Sequence, residues 1–145
     1  MPVREVNIAD QFEAALPLMR ENWRETGFDF EFAPSQQIYE TAQASGVLIA
    51  LGAFHDEELV GYATAVLTEH PFNPAVRMCL TDALYLSPAH RNGPLAGRLM
   101  LTVERIAKER GARFVMWHTR AGTKLADVLR KRGYLDADTV VMKEL

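Results

Sequence analysis

Arg91, Gly93, Gly97 and Arg98 fall within eight residues of one another in the stretch SPAHRNGPLAGRLM, residues 87–100, and that grouping can hold an anion. An apolar run, ALYLS, leads into it, and an amphipathic helical pattern leaves it. A helix start presents unpaired backbone N–H groups and the positive end of the helix dipole, and small residues let phosphate oxygens approach them. Asn92, Gly93, Pro94, Leu95, Ala96 and Gly97 supply the turn. Arg91 at its mouth and Arg98 in the first helical turn are placed to add charge-assisted bonds to a pyrophosphate. Pro94 at the first helical position removes one donor, and its fixed φ suits a helix start. On spacing alone, the same residues read equally well as a tight turn.

Placing that turn requires a strand before it and a helix after it, and the chain supplies both. VREVN reads as a short first strand. ADQFEAALPLMRENWRETG reads as a helix capped by Asp10, with Glu13 completing a capping box and Pro17 kinking or dividing it. PSQQIYETAQASG is a second helix between Ser35 and Gly46. VLIALGAFHD and ELVGYATAVLT form a hairpin about Asp56–Glu57. RMCLTDALYLS is the next strand, reached through EHPFNPAV, whose prolines disfavour regular structure. Leu95, Leu99, Met100, Val103, Ile106 and Ala107 share one helical face, which Gly111 ends. RFVMWHT reads as a strand, TKLADVLRKRG as a helix and TVVMKEL as a last strand. The order predicts an α/β (α+β) fold, a mixed central sheet flanked by helices on both faces, in one domain over residues 1–145.

Charge is divided along the chain. Residues 91–132 carry 11 Lys and Arg against 3 Asp and Glu, whereas residues 1–90 carry 4 against 13. A small polyanion touching only the basic segment fits this division. Nucleic acid does not, because the acidic first half would repel a long phosphate backbone. The lone Cys79 excludes an intrachain disulfide and points to a reducing compartment, the cytoplasm. No apolar run is long enough for a bilayer, so no membrane partner is expected. His55, His70, His90 and His118 show no ligand-like spacing, so no metal site is expected.

LYLSPAHRNGPLAGRLM resembles the acetyl-coenzyme-A signature of the GNAT superfamily of N-acetyltransferases: a strand, then (Arg/Gln)-x-x-Gly-x-(Gly/Ala), then a helix. Arg91 takes the first position and Ala96 the last, while Pro94 stands where glycine is usual. The order of elements is similar along nearly the whole chain, and LADVLRKRGY resembles the family's final helix. WHTRAGTKLADVLRKRGYLDADTVVMKEL is most similar to the branch found in bacteriophage and bacterial genomes, whose substrates are mostly unassigned. The resemblance implies the GNAT fold, acetyl-CoA as cosubstrate without a metal, and direct transfer of acetyl to a primary amine in a ternary complex. It also implies that Leu84, Tyr85 and Leu86 pair through their backbone with the pantetheine arm. A backbone N–H of that strand would stabilise the thioester oxygen as charge develops.

Three polar positions common in the family are absent. The usual tyrosine of the last helix is Leu129, the asparagine that opens it is Gly122, and the glutamate of the preceding strand is Trp117. Asp82, just ahead of the cofactor segment, is the best substitute base, and alternation puts it on the face shared with Leu84 and Leu86, where burial would raise its pKa. A strand-edge aspartate bonded to neighbouring backbone is an equal reading. His118, at the end of RFVMWHT, has a side chain suited to a base near neutral pH, yet alternation sets it opposite Trp117, as a structural histidine would be. Tyr85 and Cys79 read as core residues.

The resemblance puts ENWRETGFDFEFAPS beside the acceptor groove. Its Glu21, Glu25, Asp29 and Glu31, interleaved with Trp23, Phe28, Phe30 and Phe32, suit a cationic amine. The same pattern also reads as aromatics covering core and acids facing water. Two functions follow: an N-acetyltransferase acting on a small-molecule or protein amine, and a catalytically degenerate acyl-CoA-binding sensor or assembly protein. Pairing into a homodimer stays open.

Overall fold

Alternation along the central strands sorts apolar side chains onto two faces. In the computed structural model, which describes residues 2–145, Ile49, Leu51, Ala63, Ala65, Leu67 and Cys79 turn to one face, and Leu48, Ala50 and Val66 turn to the other. These residues belong to one sheet of five strands in sequence order. Its strands are β1 (Val3–Glu5), β2 (Leu48–His55), β3 (Glu58–His70), β4 (Asn73–Leu86) and β5 (Ala112–Met116). The first four pair antiparallel and β5 runs parallel to β4, which makes the sheet mixed. The crossover is α3 (Leu95–Glu109), which buries Leu99, Val103, Ile106 and Ala107 on the first face. On the second face, α1 (Ile8–Thr26) and α2 (Gln36–Ala44) cover Leu48 and Ala50 with Ile8, Phe12, Tyr39 and Ala42. A short α4 (Lys124–Lys131) follows β5. None of the helices among the described residues is long and apolar enough to cross a membrane.

Several local expectations are corrected. The residue before α1 is Asn7, and Asp10 lies inside the first turn. There its carboxylate favours the positive end of the dipole. The cap comes from another helix instead: the Gln43 side chain accepts from Ile8 N at 2.9 Å and donates to Val6 O at 2.8 Å. Pro17 sits within an unbroken α1. EHPFNPAV is largely strand, because β3 and β4 continue to a tight turn at Pro71–Phe72. Pro74 is tolerated there because it falls in the irregular stretch between the pairs His70–Asn73 and Glu69–Arg77, before β5 begins to pair at Arg77, and so has no paired residue in either neighbouring strand. Ser35 does cap α2, accepting from Ile38 N at 3.3 Å.

TVVMKEL forms no strand. Residues 135–145 lack regular structure, and Leu135, Val140, Val141 and Met142 are exposed. Strand propensity depends on a paired edge and a covered face, and these residues find neither within the described chain.

Gly61 sets how closely β3 and β4 approach beside Leu86. A Cβ there would meet Tyr85 O at 2.7 Å and Leu86 Cδ1 at 2.6 Å, whereas one at Gly93 would meet nothing within 4 Å. Gly61→Ala should therefore lower stability in urea denaturation by about 1–3 kcal/mol. Gly93→Ala should stay within about 0.5 kcal/mol of the parent. Equal midpoints for the two variants would contradict this packing.

Candidate active site

β4 carries one residue more than β3 between the pairs Thr64–Ala83 and Ala65–Thr81, and the extra residue is Asp82. A bulge of this kind reverses the alternation of the strand that contains it. Leu84 and Leu86 pack toward α3, while Asp82 turns to the α1 and α2 face, where Oδ2 accepts from Thr64 Oγ1 at 3.1 Å. Strict alternation puts Asp82 with Leu84 and Leu86 and buries it; both expectations fail. Counting by twos cannot register an inserted residue, and the face that Asp82 reaches is open enough to leave it exposed.

That face holds a cavity of about 400 Å³ between α1, the segment joining α1 to α2, and strands β2 to β4. Trp23, Phe28, Phe30, Phe32 and Tyr39 contribute aromatic wall, and Asp82 and Glu31 contribute carboxylates. Of the acidic, aromatic segment read from the sequence, Trp23, Phe28, Phe30, Phe32 and Glu31 line the cavity, whereas Glu21, Glu25 and Asp29 do not. Tyr62 lines it too, and its hydroxyl accepts from Asn22 Nδ2 at 2.9 Å. Burial, with smaller contributions from neighbouring tyrosines and Asp82, pushes the Tyr62 phenol up to about 12 against the bond from Asn22. Tyr39 is raised as well, by burial first and then by the charge of Asp82. The indole N–H of Trp23 is buried without a partner among the described residues.

On its other edge β4 loses its neighbour. Pairing with β5 ends at Leu80–Met116, so residues 81–86 have no strand on that side. Thr81 bridges the place where the strands part: its hydroxyl donates to Met116 O at 3.0 Å and accepts from His118 N at 2.9 Å. His118 Nδ1 lies 2.7 Å from Thr81 O. A carbonyl only accepts, so Nδ1 is the donor in this contact. His118 is exposed and does not line the cavity that Asp82 lines. The structure therefore does not bring the two candidate bases into one cavity.

Beyond Leu86 the chain makes a single 3-10 turn, Pro88–His90, and α3 opens at Leu95 behind Pro94 with no side-chain cap. Arg98 N is the first amide of the helix with a carbonyl to meet, Pro94 O at 3.0 Å, which leaves the N–H groups of Leu95, Ala96 and Gly97 for a ligand. Neither Gly93 nor Gly97 has a left-handed φ, and a Cβ added at either would meet nothing within 4 Å, so their smallness keeps the turn open. Asn92 and Arg98 are exposed beside it. Arg91 is more committed than its place in the turn suggests. Its Nε donates to Leu86 O at 2.6 Å, its Nη2 to Glu25 Oε1 at 2.6 Å, and its guanidinium lies 5.3 Å from the centre of the Tyr85 ring. Tyr85 itself is 4% exposed, a core residue as the sequence suggests. Open amides, open space and Arg98 fit a pyrophosphate, and the free strand edge at Leu84, Tyr85 and Leu86 fits an amide-bearing arm beside it.

The family model for the acetyltransferase (GNAT) family matches residues 12–134. The chain belongs to that family. No curated protein sequence matches it. In fold, this GNAT protein is similar to a ribosomal-protein-alanine N-acetyltransferase from Brucella melitensis biovar Abortus 2308, with 18% identity, TM-score 0.75, and 100% of this chain and 99% of that one covered. It is also similar to an aminoglycoside acetyltransferase from an uncultured soil metagenomic sample solved with sisomicin, with 13% identity, TM-score 0.76, and 99% and 93% covered. A third is glucosamine-6-phosphate N-acetyltransferase from Arabidopsis thaliana, with 9% identity, TM-score 0.75, and 99% and 96% covered. The GNAT family uses acetyl-CoA as cosubstrate.

Sequence reasoning missed one network. Glu104 of α3 accepts from Trp117 Nε1 at 2.8 Å and from the Tyr134 hydroxyl at 2.6 Å. Leu129, at the usual tyrosine position, is buried. Tyr134, pushed up to about 12 by burial and by its bond to Glu104, is the nearest phenol in sequence, but it fastens α4 to α3. Tyr62, Asn22, Thr64 and Thr81 were missed as well, since their roles depend on cross-strand neighbours.

The raised phenol of Tyr62 has a pH signature. The folded protein keeps this proton up to about 12 while the unfolded chain releases it near 10.0. Its contribution is complete below the lower value and is lost as pH rises through the higher one. Urea midpoints should fall across that window, and the fall should be smaller in Tyr62→Phe; parallel curves would show that Tyr62 titrates normally.

Proposed function

We propose that this protein transfers an acetyl group from acetyl-CoA to a primary amine by direct attack within a ternary complex. The observation that carries this reading is the bulge: it sets the Asp82 carboxylate in the cavity two residues ahead of the open edge at Leu84–Leu86. One strand thus presents an amine-binding group on a face and a cofactor-binding backbone on an edge. Bound acetyl-CoA supplies an electrophilic carbonyl and a thiolate leaving group. The N–H groups of Leu95, Ala96 and Gly97, with Arg98, hold its pyrophosphate. A backbone N–H from the free edge donates to the carbonyl oxygen as charge builds there. The bound ammonium first gives up one proton to solvent, which frees its lone pair, and Asp82, steadied by the Thr64 hydroxyl, takes the second proton that the nitrogen sheds as the C–N bond forms and the C–S bond breaks. Leu129 offers no acid, and none is essential, because a thiol with an ordinary pKa of about 8.5 can leave as the thiolate near neutral pH.

A second reading has its own observation. Leu129 is buried, and Tyr134, just beyond α4, is committed to Glu104, so neither position offers a free phenol, which favours an acyl-CoA-binding sensor. Calorimetric titration with acetyl-CoA, with dephospho-CoA for comparison, followed by thiol release across an amine panel, separates the two. Saturable binding with thiol release supports transfer, and binding without release for any amine supports the sensor. Arg98→Glu should weaken acetyl-CoA binding by about tenfold or more. Asp82→Asn should lower kcat by about a hundredfold and leave acetyl-CoA affinity within about twofold. Unchanged affinity in the first variant would remove the pyrophosphate site, and unchanged turnover in the second would remove Asp82 as base.

A further inference from the structure

The cavity before Asp82 has an uneven chemistry. Phe28 and Phe30, in the segment between α1 and α2, stack with ring centroids 4.9 Å apart, yet remain 43% and 57% exposed. Trp23 and Phe32 pack at 5.8 Å in the same wall. Among the described residues no lysine or arginine lines the cavity; its charged groups are Asp82 and Glu31. Several of its polar side chains are already engaged within the protein. Asn22 bonds to Tyr62 and Arg120, Thr26 bonds to the Trp23 carbonyl and the Phe28 amide, and Thr64 bonds to Asp82.

This distribution selects a ligand. A phosphorylated or carboxylated molecule would meet two carboxylates and no cation. A sugar would bring several hydroxyls to a wall that is mostly aromatic and aliphatic, where Asn22, Thr26 and Thr64 are engaged within the protein, and hydroxyls that lose water without a new partner weaken binding. A second ammonium would have only Glu31, because Asp82 already holds the first. A flat apolar ring, in contrast, gains from covering an exposed aromatic pair.

We propose that the ligand of this cavity, and hence the acceptor under the acetyl-transfer reading on which this rests, is an arylalkyl monoamine. Its ammonium pairs with Asp82, and its ring lies against Phe28 and Phe30. A ring on a short alkyl arm is compatible with a cavity of about 400 Å³. The nitrogen is then held on β4, beside the strand segment assigned to the thioester arm.

The test is calorimetric titration of the protein with 2-phenylethylamine, putrescine and glucosamine, each then assayed for thiol release from acetyl-CoA. The expected result is at least tenfold tighter binding of 2-phenylethylamine than of either other amine. Phe30→Ala should weaken that binding by about three- to tenfold while acetyl-CoA affinity, which reports an intact fold, is retained. Putrescine or glucosamine binding as tightly as 2-phenylethylamine would overturn the assignment, and so would failure of 2-phenylethylamine to bind. Thiol release with one of those amines would in that case leave the transferase reading standing. Tight binding of 2-phenylethylamine without thiol release would support the ligand class and overturn the transferase reading instead.

Discussion

Asp82, Leu84 and Leu86 would share one face of a regular strand, and that face packs against α3. An unpaired carboxylate there would have to be desolvated in an apolar core, at a cost of several kcal/mol or by losing its charge. Turning the whole segment over would instead expose two leucines to the cavity and empty part of the core. The extra residue between Thr64 and Ala65 of the partner strand removes the conflict, because it lets Asp82 point one way and Leu84 and Leu86 the other. The cavity, the carboxylate in it and the covered core behind it all depend on that one insertion.

The two halves of the proposed site are also tied together by side chains. Arg91 leaves the turn before α3 to reach Glu25 near the end of α1, and Arg120, beyond β5, reaches the Glu25 carbonyl and Asn22. Asn22 in turn holds Tyr62 in the cavity wall. The Arg91–Glu25 pair is substantially exposed, so its Coulomb energy is modest. Its consequence is geometric: the cavity wall and the turn before α3 are positioned by shared contacts. Thr81 does comparable work where β4 and β5 part, since one hydroxyl serves both Met116 and His118.

Membership of the GNAT family accounts for the frame, and the fold neighbours named above show how widely substrate varies on it. Their identities of 9–18% carry architecture alone. Substrate choice lives in side chains grafted on the frame. Between α1 and α2 of this chain, aromatic residues and a carboxylate face the cavity.

Much of this was legible in the sequence. Helical spacing identified the buried face of α3, the Asp56–Glu57 turn identified the β2–β3 hairpin, and the small residues from Gly93 to Gly97 marked an open helix start, because each of these is a local property of the chain. The acidic aromatic segment was visible too, although not the cavity behind it. Tertiary structure alone decided the direction of Asp82, since a bulge exists only relative to a partner strand. It also decided the engagement of Arg91 by Glu25, across 66 residues of chain, and the fate of TVVMKEL, whose strand-like composition meets no partner edge. Composition and period determine which residues want burial and which conformations they favour; which group faces which depends on contacts that close only when distant segments pack.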